Sequence, residues 1–111
     1  MPRYANCKDA NQADIIDALR KLGADVIDMS DVAPALGDDL AGFPDLLTIW
    51  PDGWAVFVEV KVAGARLNRN ESVWWHVHEN ARKRIARTLE DCEALRREWE
   101  GRCEKWGRLW L

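Results

Sequence analysis

The stretch Asp45-Leu46-Leu47-Thr48-Ile49-Trp50-Pro51-Asp52-Gly53-Trp54-Ala55-Val56-Phe57-Val58-Glu59-Val60-Lys61 decides the fold. Two apolar runs flank a short Pro-Asp-Gly turn, the pattern of an antiparallel hairpin. The strands are expected over Asp45 to Trp50 and Trp54 to Val62. Alternation puts Ala55, Phe57, Glu59 and Lys61 on one face, and Val56, Val58, Val60 and Val62 on the other. A turn centred near Asp52 sets residue 45 opposite residue 59, give or take a bulge. Asp45, Glu59 and Lys61 then converge in apolar surroundings. That grouping is costly unless it holds a cation or does chemistry.

Upstream, Asp9-Ala10-Asn11-Gln12 has the form of a capping box that opens a helix. Ile15, Ile16, Leu19 and Leu22 follow at helical spacing, and Gly23 ends it. Gln12 shares the apolar stripe and should point inward, while Asp14, Asp17 and Lys21 face away. Residues 24–29 read as a first strand, and Ser30 to Phe43 as a long loop of the kind that is often functional or mobile. Downstream, Asn68-Arg69-Asn70-Glu71 forms a second box, opening a helix to about Glu79. Thr88-Leu89-Glu90-Asp91 opens another, to about Glu100. Lys83 to Arg87 between them reads either as an edge strand or as part of one long helix, and Thr88, which restarts a helix, favours the strand.

The chain has 111 residues, so a single domain over 1–111 is expected. Apolar content of 48% and charged content of 32% fit an ordinary globular protein. No apolar run approaches the ~20 residues that span a membrane. The first residues lack the apolar core of a signal peptide, so a cytoplasmic address is expected. Three widely spaced cysteines, Cys7, Cys92 and Cys103, suit reduced thiols better than a disulfide framework or a zinc site. His76 and His78 lie two apart on a helix and point to different sides, so they do not share a metal.

The net charge of −3 argues against a nucleic-acid binder on average. Locally, Arg66, Arg69, Arg82, Lys83, Arg84, Arg87, Arg96 and Arg97 gather in the second half. They read either as a phosphate-steering patch or as a solvated helical face. Seven tryptophans can fill a small core, and Trp99, Trp106 and Trp110 suit a dimer interface. Base stacking is the alternative for them.

Magnesium is a hard cation that takes oxygen ligands. Asp45 and Glu59 supply carboxylates, and the Val60 backbone carbonyl between Glu59 and Lys61 can supply a third oxygen. A cation there would activate water and stabilise charge on a scissile phosphate. Lys61 could orient that water or neutralise the developing charge. Arg66 and Arg69 could grip flanking phosphates.

Gly42-Phe43-Pro44-Asp45-Leu46-Leu47 followed by Phe57-Val58-Glu59-Val60-Lys61 resembles the PD-(D/E)xK nuclease superfamily. Within it the chain looks most like small VRR-NUC and Holliday-junction-resolvase-like proteins of bacteriophages, over roughly Asp9 to Trp75. The resemblance implies an α/β, restriction-endonuclease-like fold, a mixed sheet flanked by helices. It implies a Mg2+- or Mn2+-dependent endonuclease acting on duplex or branched DNA in a bacterial or phage-infected cell. Asp45 and Glu59 match the family's metal ligands, and Lys61 matches its catalytic lysine. A homodimer suits a two-stranded substrate.

Two positions depart from the pattern. The family often has glutamate on the first helix, where this chain has Gln12, and glutamine after the Glu-x-Lys strand, where it has Glu71. Either both reach the metal site with exchanged charge, or both simply close their capping boxes. Two other functions stay open. One is a non-catalytic DNA-binding or assembly protein on a nuclease fold. The other is a structural domain in which Asp45, Glu59 and Lys61 form a buried ion-pair network.

Overall fold

The computed structural model describes residues 3–32 and 41–110, with side chains described for 11–30, 32 and 41–105. Most of the Ser30–Phe43 loop, and the side chains of Cys7, Asp9, Trp106 and Trp110, lie outside the described residues. Four strands form one mixed sheet in the order β1-β2-β3-β4. They are β1 (Asp25–Asp28), β2 (Leu46–Ile49), β3 (Ala55–Val60) and β4 (Lys83–Ala86). Three α-helices accompany them: α1 (Arg3–Lys21), α2 (Arg69–Val77) and α3 (Leu89–Trp110). No helix among the described residues is long and apolar enough to cross a membrane.

The hairpin has the expected register. Leu46 pairs with Val58 and Ile49 with Ala55, which extrapolates to Asp45 opposite Glu59. The turn closes through Trp50 N–H to the Trp54 carbonyl (2.9 Å) and Gly53 N–H to the Trp50 carbonyl (2.8 Å). Gly53 takes φ +88°, a conformation that side chains with a Cβ resist. β1 adds antiparallel to β2. β4 adds parallel to β3, which requires the crossover that α2 supplies.

One sheet face carries the main core. Leu46, Trp50, Val56, Val58 and Val60 are buried there with Val26 and Ala86, in one cluster with Ile15 and Leu19 of α1 and Cys92 and Leu95 of α3. The helical spacing of Ile15 and Leu19, and of Cys92 and Leu95, places each pair on one stripe. α1 ends in a Schellman-type turn. Gly23 N–H donates to the Arg20 carbonyl (3.1 Å) and Ala24 N–H to the Leu19 carbonyl (3.1 Å), with Gly23 at φ +110°.

Three expectations need correction. α1 begins at Arg3, so Asp9 is a helix-interior residue and not an N-cap. Gln12 therefore closes no capping box. α3 continues past Glu100 to Trp110. Gly101 weakens a helix, but Arg102 beyond it forms an ion pair with Asp52 of the hairpin turn and holds the helix in place. Trp99, expected in a dimer interface, packs within the chain. It stacks on Trp50 (centroids 5.8 Å apart) and donates its indole N–H to Asp52 Oδ1 (3.0 Å).

The other boxes form as read. Asn68 Oδ1 accepts from Glu71 N–H (2.9 Å) and Glu71 Oε1 accepts from Asn68 N–H (2.8 Å). Thr88 Oγ1 accepts from Asp91 N–H, and Asp91 Oδ2 from Thr88 N–H, both at 3.2 Å.

Candidate active site

The second sheet face is built differently. Leu47, Ile49, Ala55 and Phe57 are half-buried on it, yet Glu59 is only 1% exposed. Burying a carboxylate more deeply than its apolar neighbours is costly without a compensating partner. Neither oxygen of Glu59 accepts a hydrogen bond from a neighbouring N–H or O–H donor. The acidic groups acting on it are the carboxyls of Glu71 and Asp45. Burial first, and then these two neighbours, push the Glu59 carboxyl up to about 10 from its ordinary 4.5.

Asp45 is half-buried at the entry to β2. Its Oδ2 accepts from Val60 N–H at 2.9 Å, so the first carboxylate is tied to the residue after the second. On a strand the N–H and C=O of one residue point the same way. The Val60 carbonyl therefore points toward the Asp45 side of β3. Lys61 follows at the strand end. Its N–H donates to the Ala86 carbonyl (3.1 Å), and Asn11 Nδ2 donates to its carbonyl (3.2 Å).

The Lys61 ammonium lies 2.6 Å from Glu71 Oε1, with the two side chains 12% and 8% exposed. The same oxygen closes the α2 capping box. The two readings of Glu71 thus hold together: it caps its helix and it enters the site. Burial alone would raise the Glu71 carboxyl. Hydrogen bonds with Glu59, Lys61 and Asn68 outweigh burial and hold it below its ordinary value.

Gln12 is buried, as its stripe position required. Its Nε2 donates to Asp28 Oδ1 (3.1 Å) and Ser30 Oγ (3.4 Å), at the end of β1. The structure brings Asp45, Glu59, Lys61 and Glu71 together and gives Gln12 other partners. Arg66 and Arg69 are exposed on the segment from Lys61 to Glu71, and their side chains make no hydrogen bond or ion pair among the described residues. Much of the remaining basic cluster is used inside the chain. Lys83 Nζ donates to the carbonyls of His78 (2.7 Å) and Glu79 (3.2 Å). Arg84 pairs with Glu98. Arg87 donates to the Ala65 carbonyl (2.9 Å).

Sequence reasoning missed Asn11 and Asp28, and read Gly42 only as part of the Gly-x-Pro-Asp entry. Gly42 has φ +82°, and a Cβ built on it would lie 2.1 Å from the Asn70 carbonyl oxygen. It lets the Asp45 loop back directly onto the first turn of α2. The Gly-x-Pro-Asp string held that signal, but nothing local names the partner.

Among the described residues no three Asp, Glu, His or Cys side chains form a ready metal cage. Magnesium keeps several waters and uses one or two carboxylates. Asp45, Glu59 and the Val60 carbonyl could supply such oxygens, and the two Glu59 oxygens without donors are what a cation would satisfy. No family model, curated protein or solved structure matches this chain.

Proposed function

We propose that the chain is a metal-dependent endonuclease that hydrolyses phosphodiester bonds in duplex or branched DNA, on a restriction-endonuclease-like fold. The observation that carries this reading is Glu59: deeply buried, without a donor at either oxygen, and beside two further carboxyls and a lysine. A mixed sheet with α1 and α3 on one face and α2 on the other supports the fold assignment.

Asp45 and Glu59 would hold Mg2+ or Mn2+, which supplies an activated water and Lewis acidity at a phosphate oxygen. Asp45 also binds the β3 backbone, so it arrives pre-oriented. Lys61 offers a positive charge for the developing phosphate charge in a water-poor site. Arg66 and Arg69 supply positioning contacts to flanking phosphates. A homodimer would match the two strands of the substrate.

The second reading is a DNA-binding or assembly protein without catalysis, and the Lys61–Glu71 pair favours it by neutralising the lysine. One assay separates the two. Plasmid and four-way-junction DNA are incubated with the protein and magnesium, manganese or a chelator. The nuclease reading expects metal-dependent cleavage that vanishes in Asp45→Ala, Glu59→Ala and Lys61→Ala. DNA binding without cleavage supports the second reading. Cleavage that persists in all three variants refutes the site.

A further inference from the structure

α2 is an unusual helix in its burial. Its only buried residue is Glu71. Val73 and Val77 are 55% and 64% exposed, although apolar residues ordinarily seat a helix. Beyond half-buried Trp75, whose ring lies under the Lys83 ammonium at 5.5 Å, the attachments of α2 are few. Glu71 pairs with Lys61. Trp74 meets Phe43 and Phe57 edge-on, with centroids 5.5 and 5.4 Å away. Lys83 holds the carbonyls at its C-terminal end. Gly42 backs onto Asn70. Beneath α2, Glu59 is closed to solvent at 1% exposure. A hydrated cation cannot reach that carboxylate from solvent while the helix is seated.

We infer that α2 is a cover over the carboxylate site, latched by Glu71 on Lys61, and that it unwinds to admit the ligand; this rests on the site reading above. A nine-residue helix is too short to persist by itself in water. Leaving the sheet and unwinding are therefore one event. The helix propensity of its exposed positions then sets how often the site opens. A ligand must bind the open fraction, so its apparent affinity falls by that fraction.

The test places a thiol under the cover with Glu59→Cys and follows maleimide labelling by peptide mapping. Cys92, 1% exposed on the other face, serves as the reference thiol. Labelling at position 59 is compared in three backgrounds: Val73 retained, Val73→Gly and Val73→Ala. Glycine and alanine differ by about 1 kcal/mol in helix propensity, which is about fivefold in the open population. The cover predicts labelling in the order Gly, Val, Ala, spanning about fivefold, with Cys92 unmoved. Labelling that ignores residue 73, or that only tracks Cys92, overturns it.

Should the Glu59→Cys chain fail to fold, hydrogen exchange at the Ser72 and His78 amides replaces labelling. These amides bond to the Asn68 and Trp74 carbonyls. The same order supports the cover, and exchange no faster than at β3 amides overturns it. Neither readout uses cleavage. A responsive cover on a chain that never cleaves DNA would sink the nuclease reading alone. Cleavage by a chain with an unresponsive cover would sink the cover alone.

Discussion

On one face of the sheet, Leu46, Val56, Val58 and Val60 are buried with apolar residues of α1 and α3. On the other, Glu59 is buried just as completely, but its neighbours are Asp45, Lys61 and Glu71 under a helix whose one fully buried residue is Glu71. The first face gains from every methylene removed from water. The second keeps carboxyls together at a cost that only a proton, a lysine or a cation offsets. The difference teaches where stability resides and where chemistry does. Substitutions on the two faces should have opposite signatures.

The largest stability effect belongs to the apolar face. Leu46→Ala, at a fully buried position, should cost about 3–4 kcal/mol. Urea denaturation would register it, and a loss below about 1 kcal/mol would contradict the packing described. Gly42→Ala comes next, at about 2 kcal/mol, because its Cβ meets the Asn70 carbonyl and its φ is positive. Here the damage should concentrate in α2, seen as faster amide exchange there than in β3.

Glu59→Gln should bring the reverse signature: no loss of stability at neutral pH, together with loss of cleavage. The pH dependence has a definite sign. The folded chain keeps a proton on Glu59 that the unfolded chain releases near 4.5. Stability from that proton is full below 4.5 and is lost progressively as pH rises toward about 10. Glu71, held low, contributes the opposite way, and its share is lost as pH falls below the ordinary carboxylate range. Urea melts between pH 6 and 9 should show a falling slope in the parent chain and a flatter one in Glu59→Gln. A parent slope no steeper than the variant's would remove the buried proton from the account.

The smallest effect is expected on the outer surface. The Arg84–Glu98 pair is exposed on both sides, 44% and 40%. Arg84→Met should change stability by less than about 1 kcal/mol. A larger loss would mean that the β4 edge matters more than either face.

Much of this contrast was legible in the sequence. The Pro-Asp-Gly turn and period-two alternation determine register, and register determines that Asp45 faces Glu59. The Asn68–Glu71 box formed because its four residues need nothing distant. The errors arose where distant contacts rule. Asp9 looked like a cap because Gln12 stands three residues on, yet the helix runs back to Arg3. Trp99 was assigned to a dimer interface because its partners within the chain, Trp50 and Asp52, are far away in sequence. Glu71 showed a cap and hid a latch, since one oxygen serves Asn68 nearby and Lys61 across the fold. Gln12 was legible in direction, but its partners on β1 carried no local sign.

The most direct test of the central claim is a manganese titration followed by electron paramagnetic resonance, on the parent chain and on Asp45→Asn and Glu59→Gln. The account predicts one manganese ion per parent chain, lost in both variants while the fold persists. Equal binding by all three chains, or none by the parent, would contradict it.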